Sequence, residues 1–519
     1  MKIAVIGAGS SGLVTLKYLL DLHPAVDIVC FEKSHSVRGC WGDQRPDFIS
    51  TSTKYTTQFS CFRKWSSEIA PEQNFDEFFR GAEFGDYLEE FAAHFNLKEC
   101  IRFGVELRHL QYREAKWNLL LLEDGKEELH IFDAVFLCTG LVNKKVPFGS
   151  TAIPIAENPE TVRNATIVVV GGGESAADAA NHLAKPEHNN TAYLSLRSGI
   201  RVSPRYHPIR GVPSDFLRNR LLLSFDKGAR NWVGEHFVTF RIRFNRLLER
   251  WFPHRHTNCN PNEQAQALRR KWDLKLKARV DGKLFNVFHN KSDDFLDAVA
   301  DRRIKIIGPP KDDKWTDFFD FDQQTTLRIA PDLLAWSAGY RSHLPDLSGG
   351  RIRLQDFYLG CVHTDLPNLF LIGFARPIIG NIPSISEMQA RYAIGVLTGK
   401  YLLPENLKEM QAEAWKLLCA EYPTIDTENV YPVEQYPYCD TLAKEMGILP
   451  TLANVKSLRT WLKILLTPAS TTHYVDEYFD PQAIARQQIY PPSILTALLI
   501  LMQPLGLLIR ILKYIRNPM

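Results

Sequence analysis

At 519 residues with 45% hydrophobic and 23% charged content, the chain is long enough to bury two or three cores, and a net charge of only +3 argues against a general nucleic-acid binder. Its nine scattered cysteines include no Cys-x-x-Cys pair, which excludes a redox dithiol motif and is unlike a secreted disulfide framework. No run of zinc-ligand spacing occurs, so no metal site is expected.

The first predicted element is a buried parallel strand over Lys2–Ile6, which runs into a glycine turn, Gly7, Gly9 and Gly12, within KIAVIGAGSSG. Gly7 permits the tight turn, Gly9 lets a pyrophosphate approach the backbone, and Gly12 lets the next helix pack on the sheet. That helix opens with Ser10 and Ser11 and aims its free amide groups at the phosphates. A second apolar run, DIVCFEK, closes with Glu32 and Lys33. The carboxylate is placed to accept ribose hydroxyls and to repel a 2′-phosphate, so the nucleotide is FAD or NAD rather than NADP. Because the turn begins at residue 7, no room for a signal peptide is expected ahead of it.

Further along, FDAVFLCTG is a buried strand ending in Thr139 and Gly140, a strand end of the kind that passes the chain between nucleotide domains. A second glycine turn follows in ATIVVVGGGESAADAANHLA, with Ile167–Val170 as the strand, Gly171, Gly173 and Ala176 in the same frame, and Ser175 beside them. Here the second strand ends in YLSLRSG, so Arg197, flanked by Ser198, stands where the first unit has its acid. A guanidinium and a hydroxyl suit a 2′-phosphate, and the turn reads as an NADPH site. PDLLAWSAGY repeats the strand-end pattern with Ser337, Ala338 and Gly339. After NLFLIG, a helix is predicted near PSISEMQAR, with Ser384 and Glu387 at capping-box spacing and Ser386 and Gln389 as candidate cofactor contacts. Its positive end would favour negative charge at the N1 and C2 carbonyl edge of a flavin.

Charge is unevenly spread. Residues 201–283 hold 19 basic and 7 acidic residues, a net of +12 that leaves the remainder at −9. Within this insertion Val233, Phe237, Phe240, Phe244, Leu247 and Trp251 recur at steps of three and four, flanked by Arg241, Arg243, Arg246 and Arg250. Such a helix suits a membrane surface, or else packs over a substrate entrance. In the tail, Ile494–Ile509 is almost wholly apolar, broken by Thr496, Gln503 and Pro504 and followed by Arg510, Lys513 and Arg516. As a helix it would reach about 24 Å, short of the roughly 30 Å hydrocarbon core, so dipping or oblique insertion is expected rather than a full span.

The chain resembles the flavin-containing monooxygenases. The likeness rests on GAGSSGL with Glu32 and Lys33, on Gly39, Cys40 and Trp41 in RGCWG, on STSTKYTTQFSCF, on GGGESA with LRSG, on SAGY, and on LPNLFLIGFARPIIGNIPSISEMQARY. CDTLAKEMGILP and the basic apolar tail are similar in layout to the membrane-bound members. Two departures stand out. FGSTAIPIAENPETVRN lacks the histidine of the family's identifying motif, and Thr51 takes the place of the family's catalytic asparagine, ahead of Ser52, Thr53 and Lys54.

The resemblance implies an α/β chain with two Rossmann-like dinucleotide-binding domains. The FAD domain is expected in two pieces, 1–150 and 325–440, around an NADPH domain over 151–324 with a basic helical insertion near 205–290. Residues 441–519 form an appendix with a membrane-associating tail, 494–516. The implied chemistry uses FAD, NADPH and molecular oxygen: hydride passes to flavin N5, oxygen adds at C4a, and the hydroperoxide is attacked by a soft nitrogen or sulfur nucleophile of a small molecule. Thr51, Ser52 and Lys54 are the candidate contacts to flavin and nicotinamide, and Trp41, Phe59 and Phe62 could wall the flavin pocket. The family layout also implies membrane association with the catalytic domains on the cytoplasmic side, of the endoplasmic reticulum in a eukaryote, and oligomerisation is compatible with it. Open alternatives are an uncoupled NADPH oxidase releasing peroxide, a Baeyer–Villiger-type oxygenase, and a membrane-recruited nucleotide sensor without turnover.

Overall fold

The computed structural model describes residues 1–22, 26–42, 44–70, 74–141, 144–146, 153–156, 159–244, 247–248, 251, 263–342, 344, 346–347 and 350–502. The chain divides into two compact units. Unit 1 takes Met1–Lys144, Asp215–Ser224 and Arg341–Tyr490, and unit 2 takes Lys145–Ser214, Phe225–Tyr340 and Pro491–Met519.

Unit 1 is built on a seven-stranded sheet. The strands Ile101–Phe103, Asp27–Glu32, Lys2–Ile6, Ala134–Leu137 and Leu369–Leu371 lie side by side in that order and run parallel, a sequential order of 3-2-1-4-5. Near-continuous apolar runs make these strands, because both faces of a parallel sheet are covered. Ile3, Val5, Val135 and Phe136 are wholly buried. One cover is the helix Ser10–Leu20, which packs along the helix Ile382–Leu397. An antiparallel meander, Val105–Arg113, Lys116–Glu123 and Lys126–Phe132, adds a second sheet.

The expectation of a separate appendix from residue 441 is overturned. The helix Gln435–Glu445 runs through that boundary, and Tyr474 is wholly buried in the core formed by the first strands. An ion pair fastens the same segment to the long helix: Arg391 Nη1 lies 2.6 Å from Asp476 Oδ2, with the two side chains 9% and 2% exposed. Lys17 of the first helix pairs with Asp21 at 2.7 Å and donates to the Tyr478 hydroxyl, so Asp476 and Tyr478 hold both helices.

Unit 2 carries a six-stranded sheet in which Ile304–Pro310, Thr191–Ser195, Thr166–Val170 and Leu333–Trp336 are parallel neighbours, with Asp317–Asp320 and Thr326–Arg328 added antiparallel. Val170 registers with Trp336, which moves the strand of PDLLAWSAGY out of the first domain, where residues from 325 onward were expected, and into the second. The basic insertion is divided as well, since residues 215–224 belong to unit 1.

In unit 2 the predicted basic helix is Lys227–Arg243, capped by Asp226, whose Oδ1 accepts from the Ala229 N–H at 2.9 Å. Its apolar face does not stay on one side. Val233 and Ile242 are buried, whereas Phe240 and Phe244 are exposed, as are Leu247 and Trp251 (62%) and the neighbouring Trp232 (58%). Several of the basic stretch's cations are paired within unit 2, Arg201 and Lys277 with Glu235 and Arg205 with Asp293. Arg246 and Arg250 lie outside the described residues, as do Gln503, Pro504, Arg510, Lys513 and Arg516 of the tail. The tail's described start is helical over 494–502, with Thr496 and Leu499 buried and Ile500 and Leu501 exposed. Among the described residues no helix is long and apolar enough to cross a membrane.

Candidate cofactor-binding site

In unit 1 the first strand delivers the chain into a turn that only glycine can make. Gly7 has φ +98°, and a Cβ there would stand 2.7 Å from the Cys138 carbonyl oxygen; a Cβ on Gly12 would overlap the Gly7 carbonyl oxygen. Gly9 faces Gly39 across a bare aisle, since a Cβ on Gly39 would come within 3.2 Å of the Gly9 Cα. Gly140 has φ +79°, in the left-handed region that favours glycine. Gly9 is also the N-cap of the helix Ser10–Leu20, so no side chain covers its first amide groups, and an anion can. Thr139 Oγ1 is buried without a hydrogen-bond partner among the described residues. An open backbone cradle, an uncovered helix start and an orphaned hydroxyl fit a bound dinucleotide phosphate.

Glu32 closes the turn. Its Oε2 accepts from the Ala8 N–H at 2.7 Å and its Oε1 from the Ser34 N–H at 2.8 Å, which fixes the carboxylate and leaves further lone pairs for ribose hydroxyls. Lys33 and Cys40 are exposed, and Ser10 is half-buried. Ser11 Oγ lies 2.9 Å from Ser386 Oγ, joining the first helix to the long helix. Gln389 is wholly buried; its Oε1 accepts from the Gly373 N–H, and its Nε2 donates to Gly360 O and Tyr438 Oη. It therefore holds the Gly373 turn rather than presenting its amide to a ligand.

The predicted capping box is replaced by another cap. Asn381 Oδ1 accepts from the Ser384 N–H at 3.0 Å, while Glu387 is wholly buried and accepts from the Ser60 N–H and hydroxyl and from the Tyr18 hydroxyl. Burial pushes the Glu387 carboxyl up against the pull of Ser60 and Arg391. Phe59 is wholly buried against Phe91 and Tyr87, and Phe62 packs on Tyr87, Phe91 and His94, so both serve the core instead of a pocket wall. Trp41 sets its edge on Phe84 at 4.9 Å.

Thr51 and Ser52 lie on the strand Ile49–Thr53, and Lys54 opens the turn after it. Ser52 Oγ donates to the Gly380 carbonyl at 3.2 Å, and the Thr56 carbonyl accepts from Asn381 Nδ2 and Ser384 Oγ, both at 2.8 Å. This segment is thereby tied to the positive end of the long helix. Lys54, a candidate contact to flavin and nicotinamide, is paired with Glu83. Asp215 enters from the short segment that unit 1 takes out of the insertion, and its Oδ2 accepts from the Thr53 N–H at 3.0 Å. The sequence carries no local signal for that contact.

Unit 2 repeats the cradle. Gly171 has φ +145°, and a Cβ there would overlap the Ser337 carbonyl oxygen, whereas a Cβ on Gly173, the N-cap of the helix Glu174–Leu183, would meet nothing within 4 Å among the described residues. Ala176 is wholly buried under the turn and Ser175 is exposed. Asn290 Nδ2 donates to the Gly172 carbonyl at 3.1 Å, a support the motif alone does not announce. Arg197 and Ser198 are exposed just past the strand Thr191–Ser195. Arg197 has no ion pair among the described residues.

Residues 1–281 match the family model described as flavin-binding monooxygenase-like. Mouse flavin-containing monooxygenase 1 is 24% identical over 437 residues, covering 78% of this chain and 75% of its own length. Rat dimethylaniline monooxygenase (N-oxide-forming) 2 is 25% identical over 512 residues, covering 91% and 88%. Among solved structures, a closed cyclohexanone monooxygenase superposes with a TM-score of 0.57 at 15% identity over 86% of this chain and 97% of that one. The S-allyl-L-cysteine S-oxygenase of Allium sativum gives 0.51 at 18% over 86% and 88%. At such identities the superpositions establish the fold, an α/β architecture with two dinucleotide-binding units.

Proposed function

The chain belongs to the flavin-binding monooxygenase-like family and is an NADPH-dependent flavin monooxygenase; from that premise we propose that it transfers one oxygen atom of molecular oxygen to a soft nitrogen or sulfur of a small molecule. Unit 1 would hold FAD, with Gly7, Gly9, Gly12, Gly39 and Gly140 as the backbone cradle, Glu32 on the ribose, and Thr139, Ser10 and Ser11 beside the phosphates. Unit 2 would hold NADPH through Gly171, Gly173, Ser175 and Ala176, with Arg197 and Ser198 on the 2′-phosphate. When bound, these two groups supply the hydride and the oxygen chemistry.

What remains for the chain's own residues is binding, orientation and exclusion of water, which is why no triad or carboxylate pair is needed. Thr51 and Ser52 sit on a strand anchored to Gly380 and, through Thr53, to Asp215, so the segment is rigid where it would meet the flavin. The single observation that carries the reading is the pair of glycine cradles with opposite chemistry at the second-strand ends, Glu32 in one and Arg197 in the other. Its test is anaerobic NADPH added to the holoprotein, followed by ¹⁸O₂ and a thioether or tertiary amine. Bleaching of the flavin absorbance and one labelled oxygen in a sulfoxide or N-oxide are expected; a flavin that NADPH leaves oxidised would refute it.

Membrane attachment belongs to the same proposal, on the cytoplasmic side. Exposed Trp232, Phe240, Phe244, Leu247 and Trp251, beside exposed Arg243, favour it, as does the apolar tail. Truncation before Pro491 is expected to shift protein from the membrane to the soluble fraction with flavin retained, and an unchanged distribution would count against it.

A further inference from the structure

In unit 1 the outer strand of the meander, Lys126–Phe132, has Lys116–Glu123 on one side, and among the described residues no strand pairs with its other edge. The hairpin geometry dictates which residues that open edge presents. Its two-residue turn, Asp124–Gly125, has both φ angles positive, +49° and +76°, as a type I′ turn requires, so Glu123 and Lys126 close the hairpin as a hydrogen-bonded pair. Hydrogen-bonded and non-hydrogen-bonded pairs alternate along an antiparallel ladder. Lys126, Glu128, His130 and Phe132 therefore use their backbone groups within the hairpin, and Glu127, Leu129 and Ile131 turn theirs outward. The next residue in that series keeps the parity, since the Asp133 N–H points away from the hairpin and donates to the Lys2 carbonyl at 2.7 Å. Natural sheets blunt such an edge with proline, a bulge or a central charge, because it is a template for another strand. Here the register with Lys116–Glu123 is unbroken, the charges are confined to Lys126, Glu127 and Glu128, and the side chains that follow on the outer face, Leu129 and Ile131, are 63% and 52% exposed. Half-buried Leu120 stands opposite Leu129, so the apolar surface continues inward from the edge.

We propose that this edge pairs with the same edge of a second copy of the chain, antiparallel about a two-fold axis through Leu129. The strand's own residues select both the partner and the register. With Leu129 facing Leu129, Glu127 of each copy faces Ile131 of the other, so every outward backbone group of the three residues finds its complement. On the opposite face of the sheet, Glu128 of each copy stands across from His130 of the other, and within one chain these two side chains already meet at 3.5 Å. A slip of one residue would put each side chain on the wrong face. A slip of two residues brings like charges together, Glu128 on Glu128 in one direction and Glu127 on Asp133 in the other. A strand of another protein would have to supply this complement, whereas a second copy carries it. The two-fold pairing also closes on itself and leaves neither edge open to further growth.

The experiment follows the full-length, flavin-loaded protein in mild detergent by sedimentation velocity over a concentration series, and a concentration-dependent equilibrium of monomer and dimer is expected. Leu129→Pro removes an outward N–H that the hairpin does not use, so flavin content and thermal unfolding should hold while the dimer dissociation constant rises at least tenfold. Leu129→Cys is a second variant that leaves every backbone donor in place. The Cα atoms of a hydrogen-bonded pair lie about 5.5 Å apart, within reach of a disulfide, so mild oxidation should link two copies. Ile131→Cys should link no more than the unsubstituted protein does, because its two copies stand about 13 Å apart along the strands. A monomer at every concentration, a dimer that Leu129→Pro leaves intact, or equal cross-linking of the two cysteine variants overturns the proposal. A link that forms only when the two cysteine variants are mixed overturns it as well, since it belongs to the register that sets Glu127 on Asp133.

Discussion

Replacing Asp476 by Asn tests whether the segment after residue 441 is part of the cofactor-binding core. The charge removed lies 2.6 Å from Arg391 Nη1, and both side chains are nearly out of solvent. At an effective dielectric of about 20, the Coulomb attraction at that distance is roughly 6 kcal/mol, a ceiling before desolvation is counted. Asn keeps the shape and the acceptor for the Tyr478 N–H, and Glu477 remains 3.6 Å from Arg391 Nη2. The expected loss is therefore near the lower end of the range for breaking a buried pair, about 3 kcal/mol. Glu477→Gln is the internal control: its carboxylate is 60% exposed, and surface pairs of that kind are worth about 0–1 kcal/mol. Guanidinium unfolding, read by release of flavin fluorescence and repeated over a salt series, should show a large salt-insensitive loss for Asp476→Asn and a small one for Glu477→Gln that disappears with salt. Equal effects at the two neighbours, or less than about 0.5 kcal/mol at Asp476, would refute the buried-pair account.

Arg197→Ala should leave thermal unfolding unchanged, because the side chain is exposed, and weaken NADPH relative to NADH by roughly 1.5–3 kcal/mol, the worth of a charged hydrogen bond; equal losses for both coenzymes would sink the assignment. Thr51 offers a short hydroxyl where an amide could both donate and accept, so hydrogen peroxide should accompany NADPH consumption, fall when substrate is added, and fall further in Thr51→Asn; full coupling in the unmodified enzyme would show that other residues cap the reaction. His473 is wholly buried with Nε2 on Gln487 Oε1 at 3.0 Å, and burial pulls its pKa from the ordinary 6.5 down to about 3. The fold thus holds the neutral ring while the unfolded chain takes up a proton below pH 6.5, so stability should fall with pH between 6.5 and about 3, by at most about 1.4 kcal/mol per pH unit. His473→Gln should flatten that dependence, and an unaltered slope in the variant would contradict it.

What the chain order makes legible is local need. Gly12 stands where any Cβ would strike the Gly7 carbonyl within the same motif, and such a constraint is written into the residues that obey it. Distant partners leave no such mark. Ser384 and Glu387 have the spacing of a capping box, but Asn381 takes the cap and Glu387 is claimed by Ser60, 327 positions away. Asp215 reaches Thr53 across 162 positions, and only folding brings that pair together. Periodicity located the helix Lys227–Arg243 but not its buried side, because a repeat of three and four describes a face without saying what covers it. Lys54 pairs with Glu83 of the helix Glu83–His94, 29 positions away, and no local pattern announces that partner.

The bare helix starts at Gly9 and Gly173 have a further consequence. Asn381, Asp226 and Ser457 finish their own helices with a side-chain acceptor, whereas these two have none, and in the proposed reading a phosphate would take that task. The nucleotide would then complete the secondary structure, and loading would be coupled to folding by mass action. Free cofactor at a hundred times its dissociation constant adds about 2.7 kcal/mol to the stability of the unit that binds it. Loss of flavin would then be felt as a less stable unit as well as a loss of chemistry.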